Sequence, residues 1–458
     1  MEGATAMTAT PVDELQLRAF DYTDASLRGE RFHAAMAQLR GVGGPEQETG
    51  GRAWLARGPF GYMVLDREAG EFFLRSRAAT FPGMKIAEIF GVSEGPLYEQ
   101  MRRNILHVNG PDHARLRGLV NPALSPRAVE RYRPAMRRFL EQLLADATGA
   151  PAAGADGAPA GAPAEDGVRC EFVSAFAKPY PSLVMATVMG APLSDAPRLH
   201  HWSNWIQRQF DAASMASERE PIERAVEEFY EYAQALLQAR RRQPADDLIS
   251  TLIEATDPAH RPERLSDVEC VNLVFNVLAG GVDTTQSQLA HAVRLLAERP
   301  EQWRMLVEDP RLAPVAVEEA LRFEPITPFT ARITTEEVVF RDVSFPPGTV
   351  VMVCAFTGNR DAPAREGEQP GEPLDGGEEF DLARAAVHDQ AGAGARVLTF
   401  GAGVHYCVGA NLARLELTEA LAFLAARVRT LELDGEPSFD TITGIYGLDQ
   451  LPLRLELA

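Results

Sequence analysis

FGAGVHYCVGANLARLE, residues Phe400 to Glu416, is the stretch on which the reading of this chain turns. Gly401, Gly403 and Gly409 bracket Cys407, and glycine permits a tight hairpin whose backbone N–H groups point at one sulfur. From about Ala410 the residues are good helix formers, so Cys407 also stands just before a helix N-terminus. Both features favour a thiolate over a thiol. Phe400 is placed to shield the sulfur from water. A lone cysteine is ordinarily inert core filler; this frame reverses that reading and points to ligation.

A second informative stretch lies upstream. Ser266 and Glu269 form an S-x-x-E capping box that opens a helix of about 30 residues, reaching Glu298. Its middle reads Ala279-Gly280-Gly281-Val282-Asp283-Thr284-Thr285. Each interior glycine costs roughly 1 kcal/mol relative to alanine, and adjacent glycines let another group approach the backbone closely. Two readings stand for this segment alone. Either the helix is opened for a ligand and its protons, with Asp283 and Thr284 serving them, or small residues pack tightly against another helix and the polar pair is merely solvated.

The remainder of the chain sets the frame. It has 458 residues, 45% of them hydrophobic and 24% charged, which suits a globular protein with a large core. The length allows about three domains, though one large enzyme domain also fits. With 45 basic against 65 acidic residues the formal charge is −20, which argues against sequence-independent nucleic-acid binding. All basic residues except Lys85 and Lys178 are arginine, so any surface for an acidic partner is built from guanidinium groups. The longest apolar run, Val271 to Val282, falls short of the roughly 20 residues a membrane span needs. The N-terminus lacks the basic and apolar regions of a secretory signal. Cys170, Cys270, Cys354 and Cys407 lie far apart without a CxxC pair, as suits reduced cytosolic thiols, and a cytoplasmic location is expected.

Helical periodicity dominates, as in AVEEFYEYAQALLQARRRQ and VAVEEALRF. Strand signals are short: GYMVLD, EEVVF, PPGTVVMVCAF and LPLRLEL. The fold class is therefore mostly α with a minor β portion. Two Gly/Pro-rich segments, 148–167 and 362–379, read as flexible surface insertions, the first of them between helices.

Phe400-x-x-Gly403-x-His405-x-Cys407-x-Gly409 resembles the haem-binding loop of the cytochrome P450 superfamily. Ala279 to Thr285 resembles that family's oxygen-activation motif, and Glu319-Ala320-Leu321-Arg322 its E-x-x-R helix. Pro111 to Arg117 looks like the bacterial haem-propionate helix, while Asn359-Arg360-Asp361 and Phe380 to Arg384 fall between in the family's order. E-x-x-R alone is a weak signal; the cysteine loop and the ordered set are strong. The resemblance implies one domain over residues 1–458, with a long central helix crossing haem b and Cys407 as the axial iron ligand. It implies that His113, Arg117, Arg332 and His405 hold the propionates, with Ala279, Gly280, Phe400, Gly401 and Gly409 completing the cofactor set. Asp283 and Thr284 would deliver protons, and Glu319, Arg322 and Arg384 would form a buried structural ion network. Gly358 stands where the family usually has alanine.

The same resemblance implies a monooxygenase that inserts one oxygen atom from O₂ into a lipophilic small molecule by hydroxylation or epoxidation. The expected walls are Phe81 to Phe90, Trp202 to Phe210, Pro328 to Thr330 and Ile445 to Leu448, with Val274, Phe275, Val277 and Leu278 on the substrate side, and each of these also reads as core packing. No flavin or iron–sulfur pattern is present, so electrons are expected from a ferredoxin and its reductase. Arg102, Arg103, Arg115, Arg396 and Arg414 would supply the docking patch of a monomeric enzyme. A peroxide-driven peroxygenase is the alternative, disfavoured by the intact Asp283-Thr284 pair. A haem sensor would be expected to have lost that pair, and a zinc or redox-thiol protein needs more ligands than His405-x-Cys407 supplies.

Overall fold

Ser266 opens the helix around which the molecule is arranged. In the computed structural model, which describes residues 9–41, 53–149, 167–255, 264–361, 377–390, 397–440 and 444–458, its hydroxyl accepts the Glu269 N–H. The Glu269 carboxylate accepts the Ser266 N–H at 2.8 Å, completing the reciprocal cap. The helix runs Asp267–Gly281, stops at Val282 (φ −94°, ψ −71°) and resumes as Asp283–Ala297. The expected single helix is thus two, broken directly after the glycine pair. Every residue of the second half except Thr284 is buried, so this element is enclosed on all sides.

Helices Pro179–Met189, Ala196–Gln207 and Arg219–Arg242 pack on the broken helix together with Ala313–Phe323 and Ala410–Ala425. A five-stranded sheet lies to the side, in the order Leu55–Gly58, Gly61–Val64, Val350–Cys354, Phe329–Thr334, Ala79–Thr80. Phe329–Thr334 pairs antiparallel with Val350–Cys354, placing Arg332 opposite Val351. Sequence reading found the second and third of these strands but missed Phe329–Thr334, whose polar and apolar residues give no clear alternation. LPLRLEL forms the strand Pro452–Leu457, between Val428–Leu433 and Val168–Glu171. The segment expected between two helices therefore follows the helix Arg133–Thr148 but precedes a strand. Most of both expected insertions, residues 150–166 and 362–376, lies outside the described residues.

The ion network of the E-x-x-R helix is assembled as expected. Arg322 donates to Glu319 at 2.7 and 2.9 Å, and Arg384 joins the same carboxylate at 2.6 Å. Arg322 also donates to the Gly377 and Glu379 carbonyls, at 2.7 and 2.6 Å. Asn359 accepts the Leu398 N–H at 2.7 Å and so holds the turn at the start of the cysteine loop. Gly358 is explained by the same contact region: a Cβ there would stand 2.7 Å from Leu398 Cδ1. Removing Glu319 leaves two guanidinium groups enclosed without their acid. Glu319→Ala is expected to lose about 3–5 kcal/mol of unfolding free energy in urea titration, whereas disruption of the exposed Lys85–Glu88 pair by Lys85→Ala should change it by less than about 1 kcal/mol.

Candidate active site

The Cys407 N–H donates to the Phe400 carbonyl at 2.9 Å, closing a loop between the short turns Leu398–Phe400 and Gly403–His405. Gly401 and Gly403 occupy φ +68° and +71°, and a Cβ on Gly403 would stand 2.5 Å from the Leu74 carbonyl oxygen. Gly409 has an ordinary φ of −87°. Its N–H and that of Ala410 donate to the Cys407 sulfur at the start of the helix Ala410–Ala425. Of the four cysteines only Cys407 is not buried, because it opens onto an interior cavity. Arg414 lies 4.5 Å over the Phe400 ring and pairs with Glu318.

Enclosure pushes the Cys407 thiol up, and the N–H groups of Gly409 and Ala410 with the guanidinium groups of Arg117 and Arg414 offset only part of that. A bound metal cation is what makes the thiolate the stable form, since ligation releases the thiol proton.

Three elements bring basic side chains to the cavity. His113 and Arg117 lie four residues apart on the helix Gly110–Val120, Arg332 comes from the sheet and His405 from the cysteine loop. The His113 and His405 rings are 4.2 Å apart. Phe81 joins His405 to a further histidine, His107, with ring separations of 6.1 and 5.5 Å. Burial pushes Arg332 down to about 10, His107 to about 4 and His405 to about 3, the neighbouring cations adding to the last. Burial also lowers His113 and Arg117. Among the described residues no carboxylate pairs with any of the five, and His405 Nδ1 and both His107 nitrogens have no hydrogen-bond partner. Basic groups enclosed this way require an anionic ligand. A haem, with two carboxylates to bury and an iron for the sulfur, fits this donor set. His107 escaped sequence reading because its only local signal is a single histidine ahead of the helix.

At the helix break the two glycines differ in their surroundings, and Asp283 is buried rather than solvated. Gly281 is a packing glycine, since a Cβ there would collide with Met185 of the neighbouring helix, whereas Gly280 has open space beside it. Ala279, Gly280 and Gly281 all line the cavity. The carbonyls around the break are taken by side chains: Gln207 donates to Ala279 and the Thr284 hydroxyl to Gly280. Thr284 lines the cavity; Asp283 does not. The Asp283 carboxyl is turned toward the helix Ala196–Gln207, where burial raises it to about 7.

The cavity measures about 490 Å³ and most of its surface is apolar. Phe81, Ile86, Phe90, Phe210, Phe329 and Ile445 line it from the expected segments. Other expected walls do not. The Trp202 indole donates to Glu228 at 2.9 Å, Tyr446 stacks on His291, and Phe275 packs between Phe229 and Tyr230. Val274 and Leu278 are core residues, leaving Val277 alone of that group at the cavity. Missed walls include Tyr22, Phe60, Met185, Asn276 and Gln288, which come from elements far apart in sequence. Four lining amides each spend one N–H on a backbone carbonyl, Gln207 on Ala279, Gln209 on Ile206, Asn276 on Asn272 and Gln288 on Glu324. Each amide keeps a second N–H, and the Oε1 atoms of Gln209 and Gln288 are themselves buried.

The expected docking arginines are not free cations. Arg102 and Arg103 both meet Glu99, at 2.8 and 2.7 Å, Arg115 meets Glu269 and Arg414 meets Glu318. Arg396 lies outside the described residues. No helix among the described residues is long and apolar enough to cross a membrane.

A cysteine held by backbone donors at a helix start, opening on an apolar cavity ringed by uncompensated cations, is the site of a haem-thiolate protein. The family described as Cytochrome P450 matches residues 90–313 and 311–440. Luteothin monooxygenase of Streptomyces thioluteus is 32% identical over 411 residues, 89% of this chain and 91% of that one. The mycinamicin IV hydroxylase/epoxidase of Micromonospora griseorubida is 32% identical over 73% of this chain and 75% of its own. The solved structure of cytochrome P450 CYP109Q5 from Chondromyces apiculatus, 26% identical, matches with a TM-score of 0.76, covering 97% of this chain and 100% of that one. The chain belongs to the cytochrome P450 family and is a haem-thiolate monooxygenase.

The Asp283 carboxyl gives a pH signature. Its ordinary value is 3.8 and the folded one about 7, so between these limits the native state holds a proton that the unfolded chain releases. That contribution to stability falls as pH rises through this window and is lost above it. Asp283→Asn is therefore expected to match the parent in melting temperature near about pH 4 and to exceed it by several degrees near about pH 8, read by calorimetry.

Proposed function

We propose that Cys407 ligates the iron of haem b and that this single-domain enzyme hydroxylates or epoxidises a lipophilic small molecule. Electrons would come from a ferredoxin and its reductase. The observation that carries the reading is the cysteine sulfur, under two backbone donors, facing the same apolar cavity as the uncompensated cations. When bound, the haem supplies dioxygen activation and the transfer of one oxygen atom.

The protein's own groups do the rest. The Gly409 and Ala410 N–H groups hold the sulfur's negative charge. Arg117, Arg332, His113 and His405 bind the two carboxylates, with His107 behind them. Ala279 and Gly280 leave room beside the helix, Phe400 and Gly401 enclose the sulfur side, and the aromatic walls exclude water. Thr284 holds a proton at Oγ1 inside the cavity, and Asp283 replenishes it from behind the helix. The mainly apolar lining, with the amides of Gln207 and Asn276 in it, favours a substrate that is apolar over most of its surface and carries a few polar groups. With the candidate arginines paired to acids, a ferredoxin would dock through shape and local dipoles more than through a bare cationic patch.

The test is the visible spectrum of the purified holoprotein, reduced and exposed to carbon monoxide. A strongly red-shifted Soret band is expected, and Cys407→Ser should abolish it; a band typical of imidazole ligation in the native protein would overturn the assignment. In reductant-driven turnover, Thr284→Ala should raise the share of electrons released as hydrogen peroxide several-fold. An unchanged share would remove Thr284 from the proton path and favour direct use of peroxide.

A further inference from the structure

Asp283 lies behind the cavity wall, and the group it faces is a histidine that no sequence motif marks. His200, on the helix Ala196–Gln207, places its ring Nδ1 3.7 Å from Asp283 Oδ1. Both facing atoms are buried and without a hydrogen-bond partner, whereas the other ring nitrogen is not among the buried unpartnered atoms. The His200 side chain is 25% exposed and that of Asp283 8%, so the ring bridges from the protein surface to an enclosed acid. Leaving two buried polar atoms unpaired is unfavourable by about 1–3 kcal/mol each. A purely structural pair would close a gap that a small side-chain rotation spans.

We propose that His200 is the proton inlet of this site, taking a proton from solvent at Nε2 and passing one from Nδ1 to Asp283 Oδ1. The inference rests on the proposed role of Asp283 and Thr284. The proton count balances. The imidazolium formed at the surface loses its Nδ1 proton to the Asp283 carboxylate, which becomes a neutral acid. That acid releases its proton toward Thr284, and the partly exposed ring swings out to reload. Net, one proton moves from solvent to the cavity and neither side chain changes its resting charge.

The electrostatics set the direction. Burial, with Lys178 and His201 adding to it, pushes His200 down to about 4. Burial and Asp440 raise Asp283 to about 7, against the pull of Arg208, Asn204 and Lys178. A proton placed on His200 therefore runs downhill to Asp283, inward.

The experiment uses the ferric holoprotein and the infrared C=O stretch of the protonated Asp283 carboxyl, assigned by its loss in Asp283→Asn. On rapid mixing with D₂O the parent's band should shift quickly. In His200→Gln, which keeps a polar side chain but cannot carry the proton, and in His200→Phe, which plugs the inlet, exchange should slow by about tenfold or more. In turnover, both variants should raise peroxide release and its solvent isotope effect. Unchanged exchange and unchanged peroxide in both variants would overturn the inlet. If those variants are silent while Thr284→Ala and Asp283→Asn still leak peroxide, the inlet alone fails; if all four are silent, the proton path through Asp283 and Thr284 fails with it.

Discussion

Charge taken out of water must be answered by opposite charge or by a ligand, and this condition separates the scaffold of the protein from its working parts. Where the charge is answered inside the chain, the element is structural. Glu319 is held by Arg322 and Arg384, Asp361 by Arg40, and Glu324 by Arg294 and His33, which with burial opposing them bring its carboxyl down to about 2. The first and last of these tie the helix Ala313–Phe323 and the residue after it to the helices Leu382–Gln390, Asp283–Ala297 and Glu30–Arg40, and Thr399 donates to the Leu321 carbonyl from the start of the cysteine loop. Where the charge is left unanswered, at Arg117 and Arg332 with neutral histidines beside them, the protein is shaped for an anionic group it does not itself provide.

The helix break applies the same condition to protons. Interrupting the helix at Val282 frees carbonyls that Gln207 and Thr284 take up, and it puts consecutive side chains on opposite sides of one element. Thr284 lines the cavity and Asp283 faces the helix Ala196–Gln207, so the two lie on opposite sides of the cavity wall. Burial holds the acid near neutrality, where it can both receive and release a proton. Gly280 and Gly281 have separate duties, one giving room to the ligand side and the other admitting Met185.

Much of the site was legible because its chemistry is local. The glycine-bracketed Cys407, the S-x-x-E cap, the E-x-x-R pair and the acid–hydroxyl sequence after two glycines each depend on residues within one or two turns. The mistaken expectations have a common origin. Trp202 and Phe275 were assigned to the cavity by position along the chain, but rotation of their helices turns them into the core. The arginines expected to build a basic patch meet acids, Arg102 and Arg103 sharing Glu99 while Glu269 and Glu318 come from elements remote in sequence.

The sequence by itself determined the helical class, the cysteine that opens on the cavity and the weak point in the central helix, because glycine freedom, capping and helix propensity act over a few residues. Only the tertiary structure decided which basic groups share a cavity, that His107 stands behind them, and that Asp283 turns from Thr284 toward His200. Those outcomes depend on burial and on distances between side chains tens or hundreds of residues apart, and no local pattern encodes the solvent a group will lose when the chain closes around it.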